Sequence, residues 1–143
     1  MIYQSMCTSF KVNLLKGVFN FNTGTTQHFY IALYTSAANL SAATTAYSTT
    51  GESSGAGYTA GGQEIFVSVV PTSTGTTAFL SFSDVTWNST TLTARGALIY
   101  KADGLTNPAI AVLDFGEDKQ TNAGDFVINF PLADAANAII QIA

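Results

Sequence analysis

The stretch that most constrains the fold is Thr91–Gly116, which reads TLTARGALIYKADGLTNPAIAVLDFG. It predicts a β-hairpin with arms Leu92–Tyr100 and Ala109–Phe115, because the connection between them contains the turn-forming pairs Asp103-Gly104 and Asn107-Pro108. Both arms hold apolar runs that lack the polar residue at every second position expected of a half-exposed strand. We therefore expect both faces to be buried, one against the chain's own core and the other against a second layer or another subunit.

Short β-strands are also predicted along most of the remaining chain, between segments rich in Gly, Ser and Pro. With the hairpin they give about eight strands, which favours a single mainly-β domain over residues 1–143, an antiparallel sandwich of jelly-roll-like or immunoglobulin-like type. The other predicted strands are His28–Tyr34, Gln63–Val70, Thr76–Asp84, Val85–Asn88, Asp125–Pro131 and Asn137–Ile142, and the turns among them include Pro71–Gly75 and Glu117–Gly124.

One short helix is predicted near the N-terminus, over Phe10–Val18, with Thr8 or Ser9 as its N-cap. A helix of two or three turns does not stand alone in water, so its apolar side must dock on a sheet or on a neighbouring subunit. We expect the N-terminal segment, residues 1–22, to form an assembly interface. The apolar residues assigned to one face of the helix are Phe10, Leu14, Leu15 and Val18.

The longest segment without a clear period is Thr35–Gly57, rich in Ser, Thr, Ala and Gly. It is long for a loop within a compact domain, so it is functional, ordered by a partner, or contains an unrecognised strand. We expect Tyr47 within it and Tyr58 just after it to contribute to an assembly interface.

The charge content limits the classes of partner. Charged residues make up 10% of the chain, whereas about 25% is usual, and a surface with so few charges suggests that much of it is covered in an assembly. The net charge is −4, and the five basic residues are scattered, so direct nucleic-acid binding is not expected. No apolar run approaches the roughly 20 residues that span a bilayer, so no membrane partner is expected.

The single histidine and the single cysteine limit the catalytic mechanisms that the chain could use. Any Ser-His or Cys-His mechanism would have to use His28, which begins an apolar strand, and Cys7 is expected to be a small buried residue. A small hydrolase is thus a third and minor hypothesis. One Cys and one His do not build a zinc site, and we expect no metal and no cofactor.

The single arginine, Arg95, lies inside an apolar strand and needs a carboxylate partner, because an unpaired buried charge is costly. Asp114 on the other hairpin arm and Asp84 are the candidates within the chain. An ion pair inside the chain is the reading we favour, and a pair that reaches across to another subunit is the alternative.

Five blocks, taken in order, resemble a family of small virion structural proteins of tailed bacteriophages. The resemblance implies a non-enzymatic protein located in the virion, without cofactors or catalytic residues, as a capsid decoration or cement protein or a head–tail or tail component. It also implies binding to copies of itself, as a trimer or a ring of higher symmetry, and to major capsid or tail proteins. The blocks are Met6–Lys11 with Leu14–Gly17, Ile31–Ala37, Gly57–Gly62, Thr93–Tyr100 and Ala111–Gly116.

A different class of function remains open beside this one. Aromatic side chains flanked by polar loops stack on sugars. The chain would then be a module of a phage tail or fibre that recognises a host-surface glycan through exposed Trp87, Tyr47 or Tyr58.

Overall fold

The computed structural model describes all residues from Met1 to Ala143 and is mainly β, with eight strands and one short helix. A five-stranded sheet has the order β1-β7-β6-β2-β3 and a three-stranded sheet the order β4-β5-β8. Every strand pair is antiparallel, so the predicted fold class is confirmed. The elements are β1 (Ser5–Met6), α1 (Thr8–Leu15), β2 (Phe29–Tyr34), β3 (Gln63–Ile65), β4 (Val67–Thr74), β5 (Thr77–Phe82), β6 (Val85–Lys101), β7 (Ala109–Ile128) and β8 (Ile140–Ile142).

The two sheets share one hydrophobic core, which gives the arrangement of a sandwich. The core contains 30 buried residues from both sheets and from the N-terminal segment. Phe10 of α1 belongs to it, and its ring centroid lies 4.9 Å from that of Phe19 and 6.1 Å from that of Phe21. Phe21 in turn stacks on Phe29 of β2 at 4.7 Å. The segment expected to meet other subunits therefore contributes three phenylalanine rings to the chain's own core.

The predicted hairpin is the centre of the larger sheet, and both of its strands are longer than predicted. Its core half pairs Gly96–Tyr100 with Ala109–Asp114, and nearly all of these side chains are buried. β1 extends the sheet beside β7 in this half, and α1 packs against β7, so an element of the same chain contributes cover for the hairpin.

The polar half of the hairpin pairs Thr90–Ala94 with Lys119–Gly124. The sequence prediction of a turn at Glu117–Gly124 is wrong, because β6 supplies backbone partners for this segment while most of its polar side chains face solvent. Val85–Asn88 and Asp125–Ile128 are likewise the outer ends of β6 and β7 and do not form separate strands.

The predicted strand Gln63–Val70 is divided into β3 and β4, which belong to different sheets. The expected turn at Pro71–Gly75 begins too early, since β4 continues through Pro71 to Thr74. Proline is tolerated there because β4 is an edge strand, and its register shifts between Val69 and Thr72.

The helix begins earlier and ends earlier than predicted. Cys7, in extended conformation, occupies the N-cap position and makes no side-chain cap, so the assignment of Thr8 or Ser9 to that role is wrong. The Thr8 N–H instead donates to the Ala42 carbonyl at 2.8 Å. At the other end Gly17 has φ +72°, and the Val18 N–H donates to the Asn13 carbonyl at 3.0 Å. This is a Schellman-type termination, which excludes Val18 from the helix.

The segment Thr35–Gly57 is ordered by contacts within the chain and contains no extended strand. It lies beside β6 where β2 has ended at Tyr34, and the Thr91 N–H donates to the Ala56 carbonyl at 3.0 Å. The Ser53 hydroxyl donates to the Thr93 carbonyl at 2.7 Å. The loop thus takes the place of β2 along the polar half of the hairpin.

Candidate functional site

The outer face of α1 is the most exposed apolar feature of the N-terminal segment. We use this name for Lys11, Val12, Leu15 and Lys16, which are neighbours on the helix surface. Leu15 is 91% exposed and Val12 is 47% exposed, and Tyr3 in the preceding segment is also exposed. These side chains find no cover within the chain.

The four helix residues expected at an interface do not share one face. Phe10 is fully buried in the chain's own core, so it has no surface to offer a neighbour. Leu14 and Val18 are half-buried against that core. Leu15 lies five residues after Phe10, which places it roughly 140° around an α-helix and explains its exposure on the opposite side. Of the predicted set, Leu15 is the residue that is fully available.

Tyr47 and Tyr58 meet at a half-buried acid, Glu52, that sequence reasoning did not identify. The Tyr47 hydroxyl donates to Glu52 Oε2 and the Tyr58 hydroxyl to Glu52 Oε1, each at 2.7 Å. The Gly61 N–H donates to the same Oε1 at 2.7 Å. One carboxylate therefore accepts hydrogen bonds from Tyr47 in the loop and from Tyr58 and Gly61 just after it, in an arrangement that we name the Glu52 clasp.

The Glu52 clasp fastens the loop to the larger sheet. The Tyr58 hydroxyl oxygen accepts from the Leu33 N–H of β2 at 2.9 Å, and the Tyr100 hydroxyl of β6 donates to the Gly61 carbonyl at 2.6 Å. The rings of Tyr47 and Tyr100 stack with centroids 4.7 Å apart. The two tyrosines thus serve the fold from within, although each keeps part of its surface accessible.

Burial keeps the phenols of this cluster neutral. It raises the pKa of Tyr100 to about 12, with a smaller contribution from the Glu52 charge. Burial first, and then the hydrogen bond to Glu52, also raise the pKa of Tyr58 and Tyr47 above the ordinary value for tyrosine. The hydroxyls therefore act as hydrogen-bond donors, and a phenolate nucleophile is disfavoured at this position.

Arg95 pairs with a carboxylate of its own chain. Its Nε lies 3.1 Å from Asp114 Oδ1, and both side chains are partly exposed. The Gly116 N–H, 2.8 Å from the same oxygen, and then the Arg95 guanidinium hold the pKa of the Asp114 carboxyl below its usual range. Asp84, the other candidate, instead accepts a hydrogen bond from the Phe130 N–H at 2.8 Å.

The two residues on which hydrolase chemistry would depend lie in unlike environments. His28 is exposed, and its Nδ1 lies 2.5 Å from Glu64 Oε1, which is the one side chain that hydrogen-bonds to the ring. Cys7 is fully buried, and burial raises the pKa of its thiol to about 11. A reactive cysteine requires the opposite shift, so Cys7 has the properties of a packing residue.

Trp87 is buried at the outer end of β6, contrary to its role in the glycan hypothesis. Its ring lies edge-on to Phe126, with centroids 6.0 Å apart, and 6.1 Å from the ring of Tyr58. A buried ring does not offer a stacking face to a sugar.

A concave surface beside β7 forms a groove of about 500 Å³, which we name the β7 groove. Its apolar floor combines residues of β7 with residues of the segment that follows it. Val127, 50% exposed, is the most open of the β7 members. Its apolar lining is Leu113, Phe115, Phe126, Val127, Ile128, Phe130, Pro131 and Ile139.

Acidic side chains dominate the free charges around the β7 groove. Asp114 and Lys119 line it, but they are already paired with Arg95 and Glu117. Asp125 also lines it, accepts the Ser89 N–H at 3.0 Å and has no cationic partner. Asp118, next to Lys119 in the chain, is exposed and has none either.

Two of these features were not found from the sequence for identifiable reasons. The β7 groove depends on residues 117–124 being a strand, and the predicted turn concealed it. Glu52 lies in a Gly- and Ser-rich stretch that indicates a flexible turn, and only the contacts with distant tyrosines show its role. The one signal in the sequence was that Glu52 is the only charged residue in an otherwise uncharged tract.

No matching family model, curated protein or solved structure was found for the chain. No group of three or more His, Cys, Asp or Glu side chains is placed to hold a metal ion. The single helix is not long and apolar enough to cross a membrane.

Proposed function

We propose that this chain is a non-enzymatic structural protein of a tailed-phage virion, which binds copies of itself and a capsid or tail protein. The observation that carries the proposal is the uncovered apolar surface of the N-terminal segment, where Leu15 is 91% exposed and Val12 47% exposed. Apolar side chains clustered on one surface are typical of protein contact sites.

The composition supports the same function. Charged residues are 10% of the chain, so few charges oppose the close approach of copies. The segments that resemble phage virion proteins include the hairpin arms Thr93–Tyr100 and Ala111–Gly116, which belong to the core of the domain. The resemblance and the exposed surface are independent reasons for the proposal.

The test is binding to particles. We expect the purified protein to form oligomers in mass photometry and to co-sediment with virions, capsids or tails of the phage that carries its gene. Density for the chain in an intact virion would then give its location. A protein that stays monomeric and binds none of these particles would refute the proposal.

A matched pair of leucines controls for non-specific adhesion. Leu105 in the hairpin connection is 91% exposed, like Leu15. We expect Leu15→Asp to weaken self-association or particle binding and Leu105→Asp to leave both unchanged. Equal effects of the two changes would point to adhesion through any exposed leucine.

Glycan recognition stays the alternative proposal, but of the residues named from the sequence only Tyr47 and Tyr58 keep accessible surface. Trp87 is buried, and the hydroxyls of Tyr47 and Tyr58 are engaged by Glu52. A cell-adsorption assay with Tyr58→Ala separates the alternatives, because unchanged adsorption counts against a glycan site at that residue.

A further inference from the structure

We propose that the outer face of α1 in one copy docks in the β7 groove of a second copy, so that copies join head to tail. The inference rests on the proposed function, since it names the two surfaces through which self-association takes place. It combines a small basic and apolar surface with an acidic and apolar one on the same chain.

The outer face of α1 presents two apolar side chains between two unpaired cations. Val12 and Leu15 are three residues apart, so they are neighbours on the helix surface. Lys11 and Lys16 flank them, and both are exposed without a hydrogen bond or an ion pair from their ammonium groups.

The other three cations of the chain are already engaged. Arg95 pairs with Asp114 and Lys119 with Glu117. Lys101 Nζ donates to the Val18 carbonyl at 2.9 Å. The two free cations of the molecule therefore lie together on the outer face of α1.

The β7 groove has the complementary character. Its apolar lining can receive Leu15 and Val12, and Val127 at 50% exposure is the accessible part of that lining. Asp125 lines the groove, and Asp118 and Asp84 lie beside residues that line it; none of the three has a cationic partner. The two free lysines thus complement acids that have no cationic partner, and both surfaces expose apolar side chains.

The edge of β7 argues for docking through side chains and against the addition of a strand. The strand is interrupted by register shifts, and Gly116 and Ala123 have φ values of +81° and +51°. Bulges and charges on an edge are features that discourage pairing with another strand. A helix that contributes side chains to the groove avoids this obstacle.

A contact between two different surfaces has a consequence for symmetry. A contact of this type leaves one free helix face and one free groove after each addition, so it produces a closed ring or an open filament. An isologous dimer would instead use the same surface on both copies. The inference therefore includes the ring of higher symmetry that is expected for a particle component.

The first test uses three single aspartate variants of the full-length protein. Leu15→Asp changes the helix face and Val127→Asp changes the groove, and both positions are exposed enough to preserve folding. We expect each to raise the dissociation constant of self-association at least tenfold in analytical ultracentrifugation. Leu105→Asp, equally exposed as Leu15, is the control and should leave the constant unchanged.

Circular dichroism establishes that the variants remain folded, and mixing them tests the pairing of surfaces. Leu15→Asp keeps an intact groove and Val127→Asp keeps an intact helix face. We expect an equimolar mixture to form heterodimers and nothing larger, because one good contact remains and no ring can close. A mixture that stays monomeric, or a Val127→Asp protein that assembles alone as wild type does, would overturn the inference.

The charge match is tested with Lys11→Gln/Lys16→Gln. We expect wild-type association to weaken as NaCl rises from about 50 to 500 mM, because exposed charges are screened over this range. The double variant should associate at least threefold more weakly at low salt and respond less to added salt. Equal association of the two proteins at low salt would contradict the charge match.

Different results would refute the proposed contact and the proposed function. A wild-type oligomer that is unaffected by Leu15→Asp and Val127→Asp refutes this contact and leaves the proposed function standing. A wild-type monomer at every concentration also refutes the contact, and the particle-binding assay then decides whether the chain is a virion component.

Discussion

The two halves of the β6–β7 hairpin are held together by different interactions, although they belong to the same pair of strands. In the core half, Leu98, Ile99 and Ile110 are fully buried, and the register runs without a shift from Gly96 to Ile99. In the polar half the register shifts repeatedly, and a buried Thr90 hydroxyl bridges the strands. Apolar burial maintains regular pairing in the first region, and side-chain hydrogen bonds maintain irregular pairing in the second.

The largest expected difference is in the response to a cavity. Leu98→Ala in the core half should reduce the free energy of unfolding by about 2–5 kcal/mol, because the methyl groups removed leave a space that the core cannot fill. Urea denaturation followed by circular dichroism measures the change. Gln120→Ala in the polar half is the control and should stay within about 0.5 kcal/mol of wild type.

Two glycines, one in the core half and one between the halves, sharpen the comparison. A Cβ on Gly96 would lie 2.4 Å from the Leu113 carbonyl oxygen, so Gly96→Ala should cost about 1–3 kcal/mol through steric conflict. A Cβ on Gly116 would contact nothing within 4 Å, and only its φ of +81° opposes substitution. Gly116→Ala should therefore cost about 1–2 kcal/mol, as a left-handed backbone does for a residue with a Cβ.

Thermal and urea unfolding of the two alanine variants check this ranking. If Gly116→Ala were the more damaging change, the surroundings of Gly116 would be packed more tightly than the structure indicates, and the contrast between the two halves would be weaker.

The hydroxyl bridge is the next test. Thr90 Oγ1 donates to the Gly124 carbonyl at 2.8 Å and lies 2.7 Å from Thr121 Oγ1. Thr90→Val should destabilise the protein by about 1–2 kcal/mol, because it leaves these partners unsatisfied. A double-mutant cycle with Thr121→Val should yield a coupling energy of at least about 0.5 kcal/mol, and a value near zero would indicate that the hydroxyls act independently.

The smallest expected effect concerns the Arg95–Asp114 pair at the boundary between the halves. The pKa of Asp114 is lowered in the folded protein, so the charged carboxylate stabilises the fold above its unfolded pKa of about 3.9. This contribution is lost as the pH falls through the lower folded value. Asp114→Asn should therefore be less stable than wild type at pH 6, with a difference that shrinks as the pH falls below about 4.

Thermal unfolding from pH 7 to pH 2 measures that difference. A difference that stayed constant across the range would attribute the effect of Asp114→Asn to lost packing and not to the charge.

The same contrast explains how far the sequence could predict the fold. The apolar runs Ala97–Ile99 and Ile110–Leu113 have one stable arrangement, with both faces buried, and they were predicted correctly. Glu117–Gly124 has the composition of a turn, and its strand conformation depends on pairing with a distant segment. The Glu52 clasp and the β7 groove depend in the same way on residues far apart in sequence, which no local pattern can reveal.

The candidate site was likewise predictable only where local sequence determines the structure. The expectation of an exposed apolar surface near the N-terminus led to Leu15. Its assignment to the same face as Phe10 was an error of helix geometry, since five residues span roughly 140°. Lys11 and Lys16 carried no sequence signal, because their freedom from ion pairs is visible only when all partners are placed.

The position of the Thr35–Gly57 loop determines where the protein can be altered by engineering. A long polar loop is ordinarily the first choice for inserting a peptide, but here it completes the sheet and an insertion would open the fold. The short connection Asp103–Thr106 is the better choice. The hydrogen bonds of the Asp103 carboxylate to Leu105 and Thr106 are local to this connection, so an insertion there leaves the pairing of the sheet intact. A peptide placed beside Leu105, which is 91% exposed, would be displayed to solvent once per copy.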